Sequence, residues 1–349
     1  MGLSKIHISA VKLLRFLGVF IGIILILYHG SSIVLPLVVA MVVATLLDIP
    51  MSTMQKWGLP KWLALTLSVL LMIVIFSALM WLTGWQIDNI SKDWDTIQER
   101  ASEKIDTLMA WSKDTLGINL ESYLNKESGL TKNLQSFATN FLSSFSNVVS
   151  QSFIILIYII LLLMQKEMFH NFFYKLGADK NKPTIEKIIN KSGEMVSKYL
   201  LGKAKLMIIL FVIYYGGFLI ADVPYALFLA FFASVFSIIP YVGNIIGGGF
   251  AALLAFIYSG TTEGLLVIGV VSLAQILENY VLTPLIIGEE INLNPFMTVF
   301  GVIVFASLWG VVGAIISLPI IAVLKVIFEY TEGMEPARYL LEDKEDSDD

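Results

Sequence analysis

The stretch GLLVIGVVSLAQILENYVLTP, residues 264–284, decides how the rest of the chain is read. It is apolar enough to sit in a bilayer, yet near its end it carries Gln275, Glu278, Asn279 and Thr283. Spacings of three and four residues place these polar side chains on one helical face. A carboxylate inside hydrocarbon is costly, so such residues face a partner or a water-filled path. The expectation is a membrane-crossing helix with a polar stripe, and surrounding segments that make the stripe useful.

Composition agrees. The chain has 349 residues, of which 57% are hydrophobic and only 15% charged, with a mean hydropathy of +0.79. A soluble domain is nearer half apolar and a quarter charged. Several apolar runs approach or exceed the ~20 residues needed to cross a ~30 Å core. Strand-period alternation is absent, which argues against a β-barrel. The predicted class is therefore all-α, a polytopic helical membrane protein with about eight membrane segments. There is no cysteine, which excludes disulfide and thiolate chemistry. His7, His29 and His170 lack metal-ligand spacing. No Walker motif, H-E-x-x-H or G-x-S-x-G occurs, so neither ATP use nor an intramembrane enzyme is expected, and no metal, cofactor or nucleic acid.

Taken in order, the first apolar run, residues 16–28, follows Lys5, Lys12 and Arg15. No small-x-small cleavage site follows it, so it reads as an uncleaved membrane helix with its positive end cytoplasmic. A turn at residues 29–32 leads into a returning segment, 33–47, in which Pro36 predicts a kink. Trp57 and Trp62 with Lys56 and Lys61 suit an interface anchor. Residues 62–86 cross outward and complete an N-terminal membrane region, 1–86.

Residues 87–147 form a polar region with nine acidic and six basic side chains. Ile87, Ile90, Trp94, Ile97, Ala101, Ile105 and Leu108 recur at helical spacing, which predicts extracytoplasmic amphipathic helices, either a vestibule or a self-covering hairpin. A membrane helix follows at 148–166. Residues 167–203 are a cytoplasmic amphipathic region: the stretch 166–205 holds nine lysines and four acids. Its apolar stripe at Ile185, Ile188, Ile189, Val196, Tyr199 and Leu200 fits a helix along the inner surface or one packed under the bundle. Residues 204–330 make the core, and 331–349 an acidic tail expected to be disordered, with both termini cytoplasmic.

The core repeats itself. A crossing helix and two short arms meeting at a glycine corner occur twice, with Val242-Gly243-Asn244-Ile245-Ile246 matching Val312-Gly313-Ala314-Ile315-Ile316. An arm of about sixteen residues spans only ~24 Å, short of a ~30 Å core. Because residues 264–287 cross between the two pairs, the repeats are predicted to be inverted, as in many secondary transporters. Pro240, Tyr241, Gly243 and Asn244 at the first corner, and Gly310 and Gly313 at the second, then join Gln275, Glu278, Asn279 and Thr283 as candidate substrate- and ion-coupling residues. Helix packing through small residues is the alternative for the corners. Glu278 would take and release a proton, since burial disfavours its charged form, or would be paired with Lys203, Lys205 or Lys325.

At these residues the sequence resembles the autoinducer-2 exporter family of bacterial membrane proteins. The resemblance covers roughly residues 198–328. It rests on IIPYVGNIIGG at Ile238–Gly248, QILENYVLTP at Gln275–Pro284 and WGVVGAIISLP at Trp309–Pro319. Departures are Leu285, where the family often has a basic residue, Asn294, where it often has histidine, and Phe305-Ala306-Ser307 in place of a glycine-rich approach.

The resemblance implies a multi-pass transporter of the bacterial cytoplasmic membrane and a homo-oligomer, such as a pentamer. It would export a small polar solute or signalling molecule using an ion gradient. A cation/proton antiporter working with Na⁺ or H⁺, an oligomeric pore and a membrane scaffold are the alternatives.

Overall fold

A computed structural model of the chain describes residues 10–111, 113–114, 151–176, 181–239, 243, 247–288 and 292–343. The expectations at Pro240, Tyr241 and Asn244, and for amphipathic helices within 115–150, fall outside these residues. The first two helices, α1 (Ala10–His29) and α2 (Ser31–Lys56), are separated by Gly30 alone. A Cβ there would lie 2.6 Å from the Ile26 carbonyl oxygen, so the tight turn needs glycine. The helical assignment of α2 continues unbroken through Pro36.

Pro60, held at φ −65°, starts α3 (Lys61–Lys92). Exposed Trp57 and Trp62 mark one end of its apolar stretch, and Trp81 and Trp85, with stacked rings 6.2 Å apart, the other. Trp62 and Trp81 are separated by ~28 Å of helix, the thickness of a hydrocarbon core between two aromatic belts. Next come α4 (Trp94–Trp111), α5 (Gln151–Met164), α6 (Lys166–Leu176), α7 (Lys182–Ile220), α8 (Ala226–Phe236), α9 (Gly249–Tyr258) and α10 (Thr261–Leu277). A π-helical turn (Glu278–Leu282) leads into α11 (Thr283–Ile286), and α12 (Pro295–Glu329) and α13 (Glu335–Leu341) complete the order. Among the described residues there is no strand, only an isolated bridge between Leu293 and Glu342.

Among the described residues, five helices are long and apolar enough to cross a membrane: α2, α3, α7, the continuous stretch Thr261–Ile286, and α12. The α5–α6 pair, bent by 70°, would add a sixth. The short apolar α8 and α9 stand apart from these, as the expected arms of a hairpin. The stripe at Ile185–Leu200 is the first half of α7 and runs on in the same helix to Ile220.

The chain divides into two compact units. The first, residues 1–45, 154–189 and 293–349, is built on α12. A straight helix of its length would reach ~52 Å, but α12 is not straight. Trp309 (φ −134°) and Gly310 (φ +63°) leave helical geometry. The Asn294 amide at its start donates to the Leu341 carbonyl 2.9 Å away. A Cβ on Gly301 would meet Ile321 at 2.1 Å, so the two arms lie side by side. The chain therefore reverses at the corner read from the sequence. The same ties give structure to part of the tail expected to be disordered: α13 buries Leu341 beside the foot of the hairpin.

The second unit comprises residues 46–153 and 190–292. Its core gathers Leu210, Tyr214 and Phe218 of α7 with buried faces of α8, α9 and α10. Ile97 of α4 joins this core, and Ile87, Ile90 and Trp94 pack against it, at the helical spacing noted in the sequence. Helix α10 runs antiparallel to α7: Gly217 meets Val270, and Gly202 meets Ile287. Outside the membrane segments, the Tyr225 hydroxyl donates to Asp93, and the Arg100 guanidinium lies 4.7 Å above the Tyr258 ring. These contacts tie α3 and α4 to the feet of the α8–α9 hairpin.

Candidate functional site: a buried ion pair at a hairpin corner

Glu278 stands where α10 gives way to the π-helical turn. Its Oε1 lies 3.3 Å from Lys203 Nζ, midway along α7, and the two side chains are 7% and 9% exposed. Lys203 Nζ also donates to the Ser237 carbonyl oxygen at 3.3 Å, just past the end of α8. Of the three lysines weighed as partners, Lys203 makes the pair. Lys205 is exposed on α7, and Lys325 is buried in the first unit. An ion pair taken out of water is stable only if its remaining donors and acceptors are met, and the Ser237 carbonyl meets one of the ammonium protons.

Tyr199, one turn before Lys203, is 3% exposed, and its hydroxyl has no hydrogen-bond partner among the described residues. It lies within electrostatic reach of the Glu278 carboxylate, as does the fully buried Tyr214. A buried donor left open beside a charged pair is the chemistry expected of a place where a polar solute or ion docks.

The polar stripe does not stay on one face. Glu278 turns inward, while Asn279 is exposed and accepts a 2.8 Å hydrogen bond from Gln275. Gln275 and Thr283 are half-buried. The structure thus brings Glu278 to the α7–α8 side and leaves the Gln275–Asn279 pair on another face.

Both corner glycines are buried and closely held. A Cβ on Gly243 would lie 2.3 Å from Phe236 and Ser237 backbone atoms, and one on Gly313 2.0 Å from the Phe305 carbonyl oxygen. Gly310 has open space around it, but its φ of +63° disfavours any other residue. Gly243 therefore adjoins Ser237 and through it Lys203, whereas Gly310 and Gly313 belong to the first unit. Tyr199, Ser237 and the π turn were not singled out from the sequence as site features. The available signal was Lys203 itself, a lysine on the otherwise apolar buried stripe of α7 that holds Tyr199, Leu206, Leu210 and Tyr214.

The family model described as AI-2E family transporter matches residues 17–333, well beyond the stretch that carried the resemblance. The "AI-2 transport protein TqsA" of Escherichia coli (strain K12) is 22% identical over 345 residues, covering 97% of both chains. The Bacillus subtilis (strain 168) protein named "Putative transport protein YueF" is 31% identical over 209 residues, 58% of this chain and 56% of its own. Family and relatives are named as transporters, not enzymes. With a family match across nearly the whole chain, the chain belongs to the AI-2E transporter family.

Proposed function

We propose that this transporter is a secondary exporter of a small polar solute or signalling molecule, driven by an ion gradient across the bacterial cytoplasmic membrane. The observation that carries the reading is the Lys203–Glu278 pair, buried at a hairpin corner and flanked by the open Tyr199 hydroxyl. With the pair closed, Glu278 is ionised and Lys203 is its counter-charge. When the corner moves, Glu278 loses the ammonium and takes a proton or a cation from the side of higher electrochemical potential, because an isolated buried carboxylate is strongly disfavoured. Re-forming the pair expels that ion and resets the site. The name of TqsA supports autoinducer-2 as one solute to test. A second reading, cation/proton antiport, is favoured by the same pair, since an ammonium and a metal cation can alternate at one carboxylate.

The hairpins are proposed to be re-entrant, with α4 outside and both termini in the cytoplasm, by lysine distribution. A homo-oligomer is proposed from the family resemblance. Purified protein in liposomes, given imposed pH or Na⁺ gradients, is expected to move solute faster with a gradient than without. Equal flux with and without gradients would leave a passive pore. Single cysteines replacing exposed Glu103 and Lys187 are expected to differ in labelling by an impermeant reagent on intact cells.

A further inference from the structure

Helix α6, KEMFHNFFYKL, follows α5 across a 70° bend at Gln165. At 3.6 residues per turn its side chains separate into two arcs. Met168, Phe169, Phe172 and Phe173 fall within ~140° of each other. His170, Tyr174, Glu167 and Asn171 occupy the opposite arc. Lys166 and Lys175 stand on the two edges between them.

The apolar arc is left open. Met168 is 52% exposed, Phe172 55% and Phe173 45%. In water, so many exposed aromatic groups on one short helix would be unusual. The helix before it shows what covers them. On α5 the exposed side chains include Ile154, Ile157, Leu161 and Met164, a stripe at helical spacing suited to acyl chains. A bend of 70° at the end of such a span lays the next helix almost flat against the bilayer surface. Edge lysines on an apolar face then lift their ammonium groups toward headgroups while their stems lie along the hydrocarbon boundary. Lys182, whose Nζ lies 5.5 Å from the Tyr174 ring centroid, adds a third positive charge on the polar side.

We propose that α6 is an interfacial anchor that lies in the membrane plane, with Met168, Phe172 and Phe173 inserted at the headgroup–acyl boundary and Lys166 and Lys175 bound to the phosphates of anionic phospholipid. The occupant is the lipid surface itself. Such an anchor fixes the depth of α5 and sets where α7 begins.

The chain lacks cysteine, so a single introduced one is unique. The full-length protein is reconstituted in nanodiscs of phosphatidylcholine with phosphatidylglycerol and spin-labelled at Phe172→Cys, Phe173→Cys or Asn171→Cys. At the two former sites, collision with lipid-dissolved oxygen is expected to exceed collision with an aqueous nickel chelate several-fold, with the order reversed at Asn171. Labels at 172 and 173 as open to the nickel chelate as that at 171 would overturn the anchor, and so would labels shielded from both, which would mean that protein covers the face. Native mass spectrometry then compares phosphatidylglycerol retained by the wild type and by folded, monodisperse Lys166→Gln/Lys175→Gln. Loss of at least half is expected; equal retention would overturn the anionic-lipid contact.

Discussion

The second unit's hairpin approaches its corner through Ser234 and Ser237 and leaves it through Gly243 and Gly247. The repeat in the first unit has Val304, Ser307, Gly313 and Ser317 at the matching places. In both, a glycine is pressed against the backbone that entered the corner, and a serine hydroxyl donates back to its own arm, Ser237 to Ser234 and Ser307 to Ile303. Beyond that they differ. The second unit's corner presents a carbonyl to Lys203, which holds Glu278. The other corner puts Trp309 in the break, and its indole N–H donates to the Leu27 carbonyl at the end of α1, 2.9 Å away. One copy of the repeat binds charge, and the other binds a helix end. A chain reversal leaves carbonyls unsatisfied; the second unit's corner meets one of them with an ammonium, whereas the first unit's corner supplies an indole donor to a carbonyl at the end of α1.

The largest expected effect comes from breaking the charged corner alone. Glu278→Gln leaves Lys203 without a counter-charge, and loss of one member of a buried pair costs roughly 3–5 kcal/mol. A clear fall in melting temperature in detergent is expected, together with loss of gradient-driven flux. Lys203→Gln is expected to do the same from the other side, whereas the double substitution recovers most of the stability.

Next come the corner glycines. Gly243→Ala and Gly313→Ala each force a methyl against backbone and are expected to cost ~1–3 kcal/mol; Gly310→Ala strains a positive φ by a similar ~1–3 kcal/mol. Thermal melts check the shared cost. Ion dependence of transport separates them, because only Gly243 packs against the Phe236–Ser237 backbone, next to the carbonyl that Lys203 binds. Altered ion dependence in Gly313→Ala and not in Gly243→Ala would invert the comparison.

Trp309→Phe removes one neutral hydrogen bond, worth ~1 kcal/mol. A small drop in stability with unchanged pH dependence of flux is expected.

The smallest effect is at the feet of the hairpin. Burial, and then the hydrogen bond to Asp93, hold the Tyr225 hydroxyl above the usual tyrosine range. A folded-state value above the unfolded one means that this tie contributes fully below about pH 10 and fades as pH rises through the folded value. Tyr225→Phe is expected to lower stability by ~1 kcal/mol at neutral pH, with the gap to wild type closing in strong alkali, as followed by melting temperature against pH.

Much of the fold was legible because hydropathy and glycine carry it. Trp57, Trp62, Trp81 and Trp85 bracket a span whatever packs against it. Ile87, Ile90 and Ile97 fall on one helical face in the sequence as in the core. The corners at Gly243 and Gly310–Gly313 were visible because backbone in such places tolerates little else. The π turn was not, since Glu278–Leu282 reads as ordinary helix until its neighbours across α7 and α8 are known. Nor could spacing choose among Lys203, Lys205 and Lys325, which depends on contacts between segments far apart in the chain. The two units draw on three separated stretches in one case and two in the other, an arrangement no local pattern reports. Residues 332–343 looked like part of a charged tail because the stretch 332–349 holds eight acidic side chains against five apolar ones.

The most direct test of the central claim, that the Lys203–Glu278 pair couples transport to an ion gradient, uses the double variant Lys203→Gln/Glu278→Gln in liposomes. It keeps hydrogen-bonding groups in place and removes both charges. The account predicts a folded protein that melts close to the wild type and whose flux no longer responds to an imposed pH or Na⁺ gradient. A well-folded double variant whose flux still rises with either gradient as the wild type's does would contradict it.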